Sequence, residues 1–264
     1  MIEALVINLA ADAAVMLVLW LLAVRIGDVS FIDAVWGGGM AALALLSWLQ
    51  LGQPGVRATL IMAMTVLWGG RLALHLLARW RKGGEDPRYA RILGKAKERG
   101  AFGSAALTRV FAPQAVLLFL TCLPAQLGIL ASPAPAPIGP LALAGAALWA
   151  IGLLFETVGD WQLARFRADP ASKGRVLDIG LWRYTRHPNY FGDTCAWWGI
   201  WLAAAEAGWQ VAALSVIGPL FLTFTLTRWS GKPLLEKGLA RSRPGYADYV
   251  ARTSGFVPLP PRRR

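Results

Sequence analysis

The chain has 264 residues, of which 56% are hydrophobic and only 16% charged, with 13 tryptophans and a formal net charge of +12. A soluble domain of this length carries about 25% charged residues, so a water-soluble globule is excluded, and apolar runs that are continuous rather than alternating exclude a membrane β-barrel. On such a background the positive charge reflects the positive-inside bias and attraction to anionic lipid or cofactor, not nucleic acid.

The expected fold is all-α, a polytopic membrane protein of about seven transmembrane helices forming one integral domain over residues 1–264. Residues 110–155 alone contain no Asp, Glu, Lys or Arg, whereas a span needs about 20 such residues. Span 1 covers about 4–24, with Asn8 and Asp12 on one face. It lacks a basic leader and a small-residue cleavage site, so it is expected to stay as a span. Span 2, about 30–49, opens with SFIDAVWGGG and carries Asp33 into the apolar region. Span 3, about 57–77, brings Trp68, Arg71 and His75 to one helical face. Charges inside membranes are normally partnered, which suggests an Asp33–Arg71 pair.

Residues 79–104 form a basic connection with Arg79, Arg81, Lys82, Arg88, Arg91, Lys95, Lys97 and Arg99, and a short amphipathic helix is expected after Asp86-Pro87. Span 4, about 108–130, is interrupted by Pro113 and Pro124. A Pro-rich turn at 132–140 leads to span 5, which starts near Leu141 and continues past the membrane edge to Arg167. Span 6 is about 189–205, span 7 about 209–229, and a polar tail from Ser230 ends in the basic cluster Arg262–Arg264. The 3–4 and 5–6 connections and the tail are basic, while the 4–5 and 6–7 connections have no Lys or Arg. That alternation places the N-terminus outside and the C-terminus in the cytoplasm. Cys122 and Cys195 read as apolar core residues, and two His and two Cys at scattered positions give no metal-ligand spacing.

The chemistry concentrates around Gly180–Trp198, GLWRYTRHPNYFGDTCAWW. Arg183 and Arg186 alone would suit a positive membrane anchor, but Asn189 and Asp193, at i and i+4, point into the span. Glu156 and Asp160 share a face of span 5, with Arg167 two turns beyond; Arg175, Arg186, His187, Glu236, Tyr246 and Tyr249 complete a polar set. Guanidinium groups grip phosphates in a fork, and carboxylates accept from ribose hydroxyls or amides. The same groups would equally make ion pairs closing the cytoplasmic end of a bundle. There is no GxGxxG and no GxxxxGK[ST], so neither a Rossmann nor a Walker site is present.

The stretch RYTRHPNYFGDTCAWWG resembles the signature of membrane sterol and steroid reductases. Together with SFIDAVWG, WGGRLALHLLARW…GEDPRY, FETVGDWQLARFRADP, SGKPLLE and RPGYADYVARTSGFVPLPP, it resembles a bacterial family of unknown-function membrane proteins related to the steroid 5-alpha reductase C-terminal domain. The resemblance implies an NADPH-dependent oxidoreductase acting on CH–CH groups, in a bacterial inner membrane. A lipophilic, steroid-like enone would enter from the bilayer beside the spans of about 1–105, and the cofactor would be held by about 106–264. The family's cofactor-binding pattern falls on Glu156, Asp160, Arg167, Arg175, Asn189, Asp193 and Trp197, and more weakly on Tyr249, with Arg186, His187 and Glu236 beside them. The steroid enzymes present a Gln-Glu pair and a Tyr to the substrate; here Trp68 stands where that Tyr is expected, and Asp33 or Arg71 would supply the proton or polarise the carbonyl. RHPNY, Glu236 and the Tyr246/Tyr249 tail also resemble isoprenylcysteine and phospholipid methyltransferases, which makes S-adenosylmethionine the alternative cofactor. Asn189 with Gly192-Asp193, and the Glu156/Asp160 pair, favour the reductase. A non-catalytic lipid-binding scaffold would need no such intact polar set. The expected partners are membrane lipid and a lipophilic substrate, with no metal and no nucleic acid.

Overall fold

The computed structural model describes residues 1–229 and 231–262, with only the backbone of Leu234. Of the expected basic cluster at the end of the tail, Arg263 and Arg264 therefore lie outside the described residues. Among the described residues six helices are long and apolar enough to cross a membrane, and all named elements are helical. The chain divides into two compact units: Met1–Leu143 with Ile200–Gly218, and Ala144–Gly199 with Pro219–Arg264.

The first unit opens with α1 (Ile2–Ile26), α2 (Ile32–Leu49) and α3 (Val56–Gly83). On α1 the buried residues Asn8, Asp12 and Met16 fall every fourth position, a single stripe. Most of the apolar remainder is exposed, as suits a lipid-facing helix. The buried amide of Asn8 donates to Ser47 Oγ and to Gln126 Oε1, both at 2.8 Å, and Gln50 Nε2 donates to Asn8 Oδ1 at 2.8 Å. Polar groups inside a membrane protein need such internal partners because lipid offers none. Helices α2 and α3 meet backbone to backbone: a Cβ on Gly37 would sit 2.5 Å from Gly69 O. Gly27, in the left-handed region at φ 70°, closes α1.

The basic connection folds as expected into α4 (Pro87–Glu98), whose N-cap Asp86 accepts from Arg88 N at 2.8 Å and whose first residue is proline. The fourth span starts earlier than expected and is interrupted near both expected prolines. It begins at Phe102 rather than near Thr108, running as α5 (Phe102–Ala106), a wide π turn at Leu107–Phe111 and α6 (Ala112–Thr121), then breaks at Cys122 before α7 (Leu123–Leu130). The wide turn precedes Pro113 and the break precedes Pro124; each proline lacks a donor and its ring crowds the preceding turn.

In the second unit, α8 (Pro140–Ala168) has 29 residues, about 44 Å at 1.5 Å per residue, against a hydrocarbon slab of about 30 Å. Its last turns therefore project beyond the slab, as expected for span 5. Helix α9 (Pro188–Ala205) packs on it through glycines. A Cβ on Gly192 would lie 2.5 Å from both Gly152 O and Glu156 N, one on Gly199 would lie 2.5 Å from Gly145 O, and one on Gly159 would meet Pro188 Cγ at 3.2 Å. Gly145, Gly152 and Gly159 recur every seventh residue, so α8 offers bare backbone at regular points along this contact and the two backbones approach closely. Although it coincides with the expected sixth span, α9 is not among the six apolar helices. Asn189 and Asp193 lower its hydropathy, and no residue along it is exposed.

The run Trp209–Trp229 is the last of the six, made of α10 (Trp209–Ser215), α11 (Ile217–Phe224) and a wide turn at Thr225–Trp229. The tail forms α12 (Lys232–Ser242) and α13 (Tyr246–Arg252) and then folds back along the 184–191 stretch. Arg186 N donates to Ser254 O at 2.9 Å, Thr185 Oγ1 to Phe256 O at 2.7 Å, and Leu259 N to Tyr184 O at 3.0 Å. The Phe256 ring meets Phe191 edge-on at 6.0 Å.

Candidate cofactor site

In the second unit the turn ahead of α9 is pinned to the projecting end of α8. Leu181 N donates to Gln162 Oε1 at 3.0 Å and the Trp182 indole to Gly159 O at 3.1 Å. Gly180 makes this possible: its φ is 59°, and a Cβ there would fall 2.3 Å from the Gln162 amide. Once the turn is set, Asn189 Nδ2 donates to Asp160 Oδ1 at 3.1 Å across the α8–α9 contact. Glu156 and Asp160 are 3% and 8% exposed, and Trp197 is fully buried, so this contact carries carboxylates into a largely dry interior. Asp193 lies one turn beyond Asn189 on the same helix.

Arg186, His187 and Glu236 form a second group. Arg186 Nε donates to Glu236 Oε1 at 2.9 Å, and His187 Nε2 lies 3.0 Å from the same oxygen. The Arg186 guanidinium also donates to Thr253 O at 2.6 Å, and the His187 ring stacks on Tyr190 at 5.2 Å. Burial pushes the His187 imidazole below its ordinary value, outweighing the Glu236 carboxylate beside it. Burial alone would raise the Glu236 carboxyl, but hydrogen bonds from His187 and Arg186, with the Arg186 charge, bring it down to about 2. These three residues, expected to touch a cofactor, bind one another and the tail, and they fix α12 and α13 against the start of α9.

A third group lines two clefts that share Arg175, Val176 and Asp178 as a common wall. One, of about 510 Å³, is bounded by Trp161, Arg165, Phe166, Asp169, Arg175 and Ile179. The other, of about 710 Å³, is bounded by Arg175, Asp178, Asp248, Tyr249, Arg252 and Arg262. Both lie in the size range of small-molecule sites. Arg252 pairs with Asp178, the Arg165 guanidinium lies 5.7 Å over the Trp161 ring, and the Tyr249 hydroxyl donates to Trp182 O at 2.5 Å. Of the expected cofactor residues, Arg175 and Tyr249 line these clefts; Arg167 is exposed on the last turn of α8. Trp161, Asp178 and Arg252 were not singled out by sequence, and Arg165 and Arg262 were read only as charges of a helix end and of the tail, not as site residues. Trp161 and Arg165 sit one turn apart beyond the membrane edge, which is the one signal available; the others become neighbours only when the tail folds back.

In the first unit, Asp33 on α2 is held by the basic 79–104 stretch. Arg88 Nη2 lies 2.5 Å and Arg79 Nη2 3.4 Å from Asp33 Oδ2, and the Tyr89 hydroxyl donates to Oδ1 at 2.7 Å. Trp36 Nε1 donates to Gln114 Oε1 at 2.7 Å, and Gln114 Nε2 approaches the Tyr89 hydroxyl at 3.4 Å. Burial and the Asp33 charge push the Tyr89 phenol well above its ordinary range, so it stays protonated. Trp68 is buried on α3, and Arg71 and His75 are half-buried on the same helix. Tyr89 and Arg88 were missed by sequence, although GEDPRY places both in the first turn of a well-capped helix.

A family model described as "Protein of unknown function (DUF1295)" matches residues 19–253. "3-oxo-5-alpha-steroid 4-dehydrogenase 1" of Bos taurus is 34% identical over 77 residues, 29% of this chain and 30% of that protein. The Mus musculus protein of the same name is 32% identical over 87 residues, 33% of this chain and 31% of its own length. The chain thus covers about three tenths of the curated relatives it matches. No solved structure matches.

Proposed function

The chain belongs to the DUF1295 family of membrane proteins, and from that membership and the geometry above we propose that it is an NADPH-dependent oxidoreductase. Its reaction is the reduction of a carbon–carbon double bond conjugated to a carbonyl in a lipophilic, steroid-like substrate. The observation that carries this reading is the similarity to the mammalian 3-oxo-5-alpha-steroid 4-dehydrogenases.

The residues present fit a dinucleotide phosphate. Two adjoining clefts with Arg165, Arg175, Arg252 and Arg262 on their walls offer cations to phosphates, Asp169 and Asp248 offer acceptors to ribose hydroxyls, and Trp161 offers a ring face. Glu156, Asp160, Asn189, Asp193 and Trp197 supply a hydrogen-bonding, water-poor surface suited to the nicotinamide amide. When bound, NADPH supplies the hydride for the β-carbon of the enone. Arg186, His187 and Glu236 position the tail that carries Tyr249. On the substrate side, Arg71 opposes the charge that develops on the carbonyl oxygen and Trp68 forms an apolar wall; Asp33, which accepts from Tyr89 and pairs with Arg88 and Arg79, holds those three in place, and water supplies the proton for the α-carbon.

Ligand-dependent thermal stabilisation of the detergent-purified protein tests this reading, with NADPH, NADH and S-adenosylmethionine compared. A ligand at a hundred times its dissociation constant stabilises the fold by about 2.7 kcal/mol. The expected result is a shift with NADPH that is lost in Asn189→Ala, and a weaker preference over NADH in Arg167→Ala/Arg175→Ala. A shift with S-adenosylmethionine alone overturns the reductase in favour of the methyltransferase chemistry.

A further inference from the structure

Helix α4 joins the end of one apolar helix, α3 at Gly83, to the start of another at Phe102, so it is confined to the rim of the bilayer. Its inner face is fixed to the protein. Tyr89, Leu93 and Ala96 are buried, Tyr89 is bonded to Asp33, and Lys97 Nζ donates to Gly27 O at 3.0 Å at the end of α1. With that face held, the opposite face is set in direction: Arg91, Lys95 and Arg99 are exposed at intervals of four residues, with Ile92, 45% exposed, among them. Arg88 and Asp86 neutralise each other beside this row, at 2.9 Å. The helix is thus a rigid bracket that holds three cations against the single carboxylate of Glu98, and one apolar side chain, at headgroup depth.

We propose that the outer face of α4 is a binding surface for anionic phospholipid headgroups of the surrounding leaflet, with Arg91 and Lys95 as its main contacts. Charge complementarity selects this occupant: cations within about 10 Å of a membrane surface are attracted to anionic lipid. The exposed Ile92 at the same level meets the acyl boundary rather than water. The proposal does not depend on the cofactor reading.

The test uses the full-length protein in neutral detergent, titrated with short-chain phosphatidylglycerol or with phosphatidylcholine of the same chain length, and reads the thermal midpoint. Phosphatidylglycerol is expected to stabilise more than phosphatidylcholine, with a preference that fades as salt rises. At about fivefold per cation, Arg91→Gln/Lys95→Gln weakens the apparent phosphatidylglycerol affinity about thirtyfold. Lys237→Gln/Arg241→Gln on α12 removes the same charge elsewhere and leaves the affinity unchanged, as does the charge-preserving Arg91→Lys/Lys95→Arg. Retention of the preference in Arg91→Gln/Lys95→Gln, or its equal loss in the α12 variant, overturns the site. Equal stabilisation by inorganic phosphate overturns the lipid as its occupant.

Discussion

Glu236 sets the strength of the tail attachment because one oxygen serves both Arg186 and His187. Removing it leaves a nearly buried guanidinium and a buried imidazole without their shared acceptor, and hydrogen bonds to charged groups contribute about 1.5–3 kcal/mol. Glu236→Ala is therefore expected to destabilise the fold by about 2 kcal/mol and to speed proteolysis at α12 and α13; unchanged proteolysis would detach the tail from this contact. The same group gives a pH dependence whose sign is fixed. The folded Glu236 carboxyl sits at about 2 against an ordinary 4.5, so its contribution is complete above 4.5 and is lost as pH falls toward 2. Folded His187 titrates below its ordinary 6.5, so on acidification the unfolded chain takes up that proton first and stability falls below 6.5. Both effects act in one direction. The thermal midpoint should hold from pH 8 to about 7, decline below 6.5 and fall faster below 4.5. His187→Gln should remove the upper limb and Glu236→Gln the lower; a flat profile in the parent protein would contradict both.

At the scale of elements, the α8–α9 contact depends on glycine in a way that a paired substitution exposes. A Cβ at Gly192 would meet the backbone of α8 at 2.5 Å, so α9 must move away, whereas a Cβ at Gly94 on α4 meets nothing within 4 Å. Gly192→Ala is expected to cost about 1–3 kcal/mol, and Gly94→Ala to be neutral or stabilising by up to about 1 kcal/mol; detergent unfolding curves measure both. The pair also marks how far the sequence was legible. Hydropathy located α1, α2, α3 and the overrun of α8, because lipid leaves a continuous apolar record along each helix. It did not reveal the seven-residue glycine spacing on α8, which marks an interface and carries no hydropathy signal. Nor did it place the start at Phe102, whereas the two prolines did mark the interruptions, seen as the wide turn before Pro113 and the break at Cys122 before Pro124. The polar residues were recognised as a set but not divided. A charge sequence cannot tell a guanidinium committed to Glu236 and Thr253 from one left on a cleft wall, because that depends on where the tail returns.

For the whole molecule, the same reasoning decides how many times the chain crosses the bilayer. Among the described residues, counting only helices apolar enough to stand in lipid gives six, and six crossings put both termini on one side. Hydropathy is the right criterion for a helix that faces lipid, and α1, with most of its apolar side chains exposed, meets it. It is the wrong criterion for α9. Its 18 residues extend about 27 Å, enough for the hydrocarbon core, none of them is exposed, and Asn189 is bonded to Asp160 on α8. A helix enclosed by protein pays no penalty for polar side chains that are satisfied within it. Counted as a crossing, α9 makes seven, and the basic connections then share the cytoplasmic side with the C-terminus. Fusion of a reporter that fluoresces only in the cytoplasm is expected to be bright at the C-terminus, and a phosphatase active only outside is expected to work at the N-terminus. Activity of both reporters on the same side would return the count to six and make α9 a helix that enters the protein without crossing it.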